Sequence, residues 1–212
     1  MFSSAATAYW NLYCHVGAVR GNQSPRLYGL GCRVSNAHLL TAAHVYANSD
    51  YPIAALTDGL WKCVVVKEWQ DLDIALLQKV KLLKKKAEPQ EPLYIPAISD
   101  KVPGLGTSLG YIGWLKLQDE DGKDSGRTYF GQGHVAFIYE GSRGQLLLAV
   151  DGSAVEQGFS GGPVFRANGE LVGVLVEALQ YAPKIGDTVR QFNALPMISP
   201  LSHIATEIRA LL

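Results

Sequence analysis

A serine sits among glycines in Gly158-Phe159-Ser160-Gly161-Gly162-Pro163, just before the apolar pair Val164-Phe165. A serine hydroxyl is a weak nucleophile until a base is held against it. Neighbouring glycines let the backbone turn sharply and aim its N–H groups inward. Those of Gly158 and Ser160 are placed to hold the oxyanion of a tetrahedral intermediate. Such chemistry needs two companions, an imidazole and a carboxylate, and the chain offers both upstream. His44 ends Leu39-Leu40-Thr41-Ala42-Ala43-His44, where small residues after an apolar run permit a tight bend. Imidazole titrates near neutral pH, which suits a group that takes a proton and returns it. Asp73 directly abuts Ile74-Ala75-Leu76-Leu77, so its carboxylate is partly buried and requires a partner. The ring N–H of His44 is the partner expected, because that bond fixes the tautomer and stabilises the imidazolium. Asp71 lies close by but does not touch the apolar run. Each residue alone has an ordinary structural reading; the order His, Asp, Ser, each in a fitting local context, points to one site.

The elements that must carry these residues are short and β-rich. Residues 35–45 read as a strand, a turn and the start of a short helical turn. Residues 61–68 are rich in valine and read as a buried strand, and 74–77 as another. The basic cluster 79–86 is followed by Pro89, Pro92, Pro96 and Pro103. Proline removes a ladder donor, so residues from about 84 to 103 read as a connection between two halves, with the lysines as a solvated linker. The second half opens with 105–117, interrupted by Gly106, Gly110 and Gly113. The polar, acidic run 118–126 reads as a surface loop, and 128–140 and 145–150 as strands. Residues 164–165 and 171–176 flank Ala167-Asn168-Gly169, a hairpin signal, and 189–195 reads as the last strand. Ser199 and Pro200 are expected to open a final helix as N-cap and first residue, with Leu201, Ile204, Ile208 and Leu211 on its apolar face.

Taken in order, Thr-Ala-Ala-His, Asp-Ile-Ala-Leu and Gly-x-Ser-Gly-Gly-Pro resemble the chymotrypsin (trypsin-like) serine peptidases. The resemblance spans nearly the whole chain. It implies an all-β fold of two six-stranded antiparallel β-barrels, residues 1–90 and 100–198, with a C-terminal helix at 199–212 and the active site in the cleft between the barrels. It makes His44 the general base, Asp73 its orienter, Ser160 the nucleophile, and Gly158 and Ser160 the oxyanion-hole donors. Three departures matter. Phe159 stands where family members activated by cleavage carry an aspartate, no Ile-Val-Gly-Gly-like sequence lies near the start, and Val45 replaces the cysteine that follows the histidine in secreted members. The amine–carboxylate activation switch is therefore not expected. The overall look is similar to intracellular bacterial trypsin-like peptidase domains, some of which work beside signalling or defence modules. By position, Ala154 and Val155 form the base of the substrate pocket and Val176, Glu177 and Ala178 its wall. No acid is placed to meet a basic side chain, so apolar or small residues are expected on the acyl side of the cut. Glu156 and Glu177 keep a basic preference as the alternative. His134 is read as a structural histidine of the second barrel.

Composition narrows the partners. The 212-residue chain is nearly half apolar and has zero formal net charge, which argues against a nucleic-acid binder driven by phosphate neutralisation. No apolar run reaches membrane-spanning length, and the first residues lack the basic start and continuous apolar core of a secretory signal. Cys14, Cys32 and Cys63 are an odd number of thiols, read as free and buried in a cytoplasmic protein. The expected partners are a protein or peptide substrate and a regulatory protein, with no cofactor and no metal. The alternative to a serine endopeptidase is a peptide-binding module that uses the same fold without cutting.

Overall fold

Burial with a period of two begins at the first strand. In β1 (Tyr13–Val19), Cys14, Val16 and Ala18 are buried while Tyr13 and His15 are only partly covered, as in a strand with one face on a core. The structure is a computed structural model that describes residues 12–86, 94–118, 124–140, 144–152, 155, 158–179, 184–185, 188–189 and 195–212. After β1 come β2 (Arg26–Arg33), β3 (His38–Ala42), β4 (Tyr51–Leu56), β5 (Gly59–Trp69) and β6 (Ile74–Lys85). They close into an antiparallel barrel in the order β1-β2-β3-β6-β5-β4.

The second half supplies β7 (Ser108–Gln118), β8 (Asp124–Glu140), β9 (Leu146–Gly152), β10 (Pro163–Arg166), β11 (Leu171–Leu179), the short strands β12 (Lys184–Ile185) and β13 (Thr188–Val189), and β14 (Leu195–Pro200). β12 and β13 pair with each other, and the other six close a second barrel in the order β10-β11-β14-β9-β8-β7. The fold is thus all-β, two six-stranded antiparallel barrels followed by one helix, α1 (Ala205–Leu211). Leu39, Leu40, Leu76 and Leu77 fill the first barrel, and Leu148, Val164, Val172 and Ile198 contribute to the packing of the second.

Two long-range contacts of α1 reach the segment that precedes Asp73. Glu207 accepts a hydrogen bond from Trp69 Nε1 at 2.7 Å and meets Lys67 Nζ at 3.2 Å. Arg209 donates to the carbonyl of Ile98 at 2.6 Å, so the helix also ties down the crossover between barrels. Ala205 and Ile208 are its buried residues.

Several elements differ from the sequence expectation. The helix starts at Ala205, because Ser199 and Pro200 complete β14, opposite Val174 and Gly173 of β11. Proline is tolerated there because the strand ends with it. The last barrel strand is accordingly β14, not 189–195; of that range the structure describes only Val189, in β13, and Leu195. The lysine cluster is no linker: Lys79, Lys81, Lys84 and Lys85 lie in β6, paired with Cys63, Lys62, Leu60 and Gly59 of β5. The valine-rich strand is not wholly buried, since Val64 and Val65 are 40 % and 41 % exposed. Residues 108–118 and 124–140 form one long antiparallel pair, which narrows the expected loop after Gln118. The Ala167-Asn168-Gly169 turn forms as expected, with Gly169 at φ 87° and its N–H on the Arg166 carbonyl.

Candidate active site

His44 and Asp73 meet because β3 and β6 are neighbours in the first barrel. Ala42 pairs with Ile74, so the residues that follow one strand lie beside those that precede the other. β3 ends in a single 3-10 turn, Ala43–Tyr46, and another, Gln70–Leu72, leads into Asp73. Asp73 itself is left-handed, at φ 53°, a conformation aspartate enters more readily than most residues. The Ala43 N–H donates to the Asp73 carbonyl at 2.9 Å, and the His44 N–H donates to Asp73 Oδ1, also at 2.9 Å. The second carboxylate oxygen, Oδ2, lies 2.5 Å from His44 Nδ1. A carboxylate only accepts, so Nδ1 carries the hydrogen and Nε2 is left as the basic nitrogen. Asp71, the rival carboxylate, is exposed in the preceding turn.

Backbone contacts hold the Ser160 turn against β2, next to the turn that carries His44. The Leu30 N–H of β2 donates to the Ser160 carbonyl at 2.7 Å. A Cβ added to the adjacent Gly29 would lie 2.4 Å from that carbonyl oxygen and 2.8 Å from Cγ2 of Val45, the residue after His44. One glycine thus separates the serine turn from the histidine turn. Gly161 is packed as tightly: a Cβ there would sit 1.9 Å from the Leu30 carbonyl and 2.5 Å from Thr41 Oγ1. Thr41 Oγ1, fully buried, donates to that same carbonyl at 2.6 Å. The turn is strung between barrels, because the Gly161 N–H donates to Leu175 of β11 at 2.7 Å. Gly158 and Gly161 have φ of 103° and 82°, the left-handed region glycine enters without cost. Among the described residues, no acceptor meets the N–H of Gly158 or of Ser160.

Phe159 explains how the turn is held without an acidic residue. It is buried, its ring lies over Gly113 of β7, and its centroid is 5.7 Å from that of Tyr129 on β8. Gly113 and Tyr129 are cross-strand partners, so the missing side chain at 113 is the socket that receives the ring. The Phe159 carbonyl accepts the Gly162 N–H at 2.9 Å and closes the turn.

Of the proposed pocket residues, Val155 and Val176 are buried and apolar, while Glu177 is exposed. Ala154 and Glu156 lie outside the described residues, as does the side chain of Ala178, whose backbone pairs with Pro196 in β14. His134 is exposed on β8, in register with Ser108 and Asp151. Sequence reasoning did not single out Gly29 or Tyr46, and gave Thr41 no role beyond its place in the motif before His44. Tyr46 donates to Glu68 Oε2 at 2.5 Å, and burial with that carboxylate pushes its own acidity down, its pKa rising. It lines a cleft of about 670 Å³ with His44, Glu68, Asp71 and Asp73. The available signal for Gly29 was the pair of glycines at 29 and 31 in an apolar strand, which marks close backbone approach.

Residues 29–174 match the profile of the trypsin-like peptidase domain. The chain belongs to that family. Among curated proteins, none matches it. Solved structures of similar fold include the Rv3671c protease from M. tuberculosis in its active form, at 17% identity and a TM-score of 0.66, covering 96% of this chain and 82% of that one. The inactive form of the same protease gives 17% identity, a TM-score of 0.63 and coverages of 97% and 91%. The MamO protease domain from Magnetospirillum magneticum gives 20% identity, a TM-score of 0.62 and coverages of 93% and 95%. This trypsin-like domain therefore shares with them its two-barrel fold, and the matched span contains His44, Asp73 and Ser160.

Proposed function

We propose that the chain is a serine endopeptidase that works through an acyl-enzyme. The observation that carries the reading is the double grip of the Asp73 carboxylate on His44, backbone N–H and ring together, beside a serine turn fastened to the adjoining strand. Asp73 sets the ring so that Nε2 accepts the Ser160 proton as Oγ attacks the scissile carbonyl. The N–H groups of Gly158 and Ser160 take the charge that develops on the carbonyl oxygen. His44 then returns the proton to the leaving amine, and water repeats the cycle to release the acid.

Val155 and Val176 support an acyl-side pocket for apolar or small residues, with Ala154, Glu177 and Ala178 completing its base and wall. Substrate backbone would add to β11 as a strand. The family's chemistry calls for no cofactor or metal. Three free, buried thiols suit a reducing compartment such as the cytoplasm, and among the described residues no helix is long and apolar enough to cross a membrane. A protein substrate and a regulatory protein partner, in a bacterial signalling or defence setting, complete the reading.

The test is proteome-wide mapping of cleavage sites with the native protein and with Ser160→Ala. New termini should appear with the first and vanish with the second. Equal cleavage by both proteins removes Ser160 from the chemistry, and no cleavage by either leaves a peptide-binding module.

A further inference from the structure

The turn that carries Ser160 has two flanks. On one, Gly161 is bonded to β11, the strand assigned to the acyl part of the substrate; on the other, Leu30 of β2 holds the Ser160 carbonyl. The β2 flank contains a separate cavity of about 130 Å³, lined by His15, Leu27, Tyr28, Gly29, Trp114 and Gly158. One of the two oxyanion donors is thus also a wall of this cavity.

The walls are built rather than incidental. Trp114 and His15 meet edge to face, with centroids 4.3 Å apart and planes at 85°. Behind Trp114 lies Gly126, where a Cβ would fall 2.2 Å from the indole, so the ring is held from both sides. His15 is held in turn by the edge of Tyr13, 5.9 Å away. The Trp114 carbonyl lies 3.2 Å from where a Cβ on Gly158 would be, which ties the aromatic wall to the serine turn. At the mouth, Leu27 and Tyr28 are 40 % and 37 % exposed; Arg20 stacks over the Tyr28 ring at 5.4 Å. Burial first, and the charge of Lys86 second, lower the pKa of His15, so the imidazole presents a neutral edge. A cavity of roughly 150 Å³ with apolar walls holds a benzene ring, so this one is sized for a single ring or a branched aliphatic group.

We infer that His15, Tyr28 and Trp114 are specificity-determining residues that receive an aromatic or branched aliphatic side chain on the leaving-amine side of the scissile bond. This rests on the peptidase reading above. The acyl side is taken by β11, so the flank at β2 faces the departing half of the substrate. Covering Leu27 and Tyr28 with an apolar side chain removes their exposed surface from water.

Acyl-enzyme partitioning tests the assignment apart from acyl-side recognition. The enzyme is acylated at Ser160 with an activated ester and offered amino-acid amides as competing nucleophiles. The amide's amine attacks the ester carbonyl, its proton passes to His44, and Ser160 Oγ leaves with a proton from the same imidazole. The ratio of amide product to hydrolysed acid does not depend on how much enzyme is acylated. Phenylalanine, leucine and isoleucine amides should intercept the acyl-enzyme roughly tenfold or more better than glycine, aspartate or lysine amides. Tyr28→Ala and Trp114→Ala should each flatten that preference; Tyr28 is exposed enough for its variant to fold. An acyl-enzyme that forms but shows equal partition for all amines, or an apolar preference untouched in both variants, overturns the inference and leaves the peptidase reading standing. Failure to form any acyl-enzyme at Ser160 overturns both.

Discussion

Replacing Phe159 by alanine isolates how the serine turn is held. The ring is 3 % exposed, stands 5.7 Å from Tyr129, and occupies the space above Gly113. Deleting a buried phenylalanine side chain costs about 3–5 kcal/mol. The socket belongs to the paired strands β7 and β8, whereas the ring belongs to a short turn, so the turn bears most of the loss. A loss of about 3 kcal/mol against the docked turn lowers its population relative to undocked conformers by up to about a hundredfold. The assay is the second-order rate of labelling by a fluorophosphonate, with a thermal melt to register the barrels. Labelling should fall by roughly tenfold to a hundredfold. Gly113→Ala should produce the same loss from the opposite side, because its Cβ would lie 2.1 Å from Phe159 Cε2 and drive the ring out. Labelling within about twofold of native for both variants, with native-like melting, would refute the argument that the ring anchors the turn.

Further outcomes follow from the same geometry. Asp73→Asn puts an amide donor where a carboxylate oxygen faces His44 Nδ1, which sets the wrong tautomer and should cut turnover by roughly four orders of magnitude while leaving the fold intact, measured as kcat on any cleaved peptide. A peptide library should show cleavage after apolar or small residues, as Val155 and Val176 require; dominant cleavage after arginine or lysine would contradict that pocket. Burial pushes the pKa of Cys14 and of Cys63 from the ordinary 9.0 up to about 12. The unfolded chain therefore releases these protons at lower pH than the folded one, and stability falls as pH rises from about 9 toward 12. Melting temperature should drop over that range, and Cys63→Ala should lessen the drop.

The three residues proposed for the chemistry could be picked out because each lies at a strand end whose apolar run is local: 39–40 before His44, 74–77 after Asp73, 164–165 after Ser160. The resemblance supplied the two barrels, which the periodicity of single segments did not. β1, β2 and β4 carry no strong alternation, since Gly17, Gly29 and Gly31 interrupt them and their inward residues include cysteine and alanine. The lysines of β6 misled because an exposed strand edge tolerates lysine as readily as a linker does. Ser199 and Pro200 fit a helix start by type; their pairing with β11, a long-range fact, made them strand instead. What joins Ser160 to the first barrel, the Leu30 N–H and the bare Cα of Gly29, is a backbone contact between residues far apart in sequence, to which residue type contributes only as the absence of a side chain.

Intact-mass analysis of the fluorophosphonate-treated protein, followed by peptide mapping, addresses the union of His44 with Ser160 most directly. One adduct, on Ser160, formed by the native protein and nearly abolished in His44→Ala, is the predicted result. An adduct on another residue, or labelling of Ser160 at an undiminished rate without His44, would contradict it.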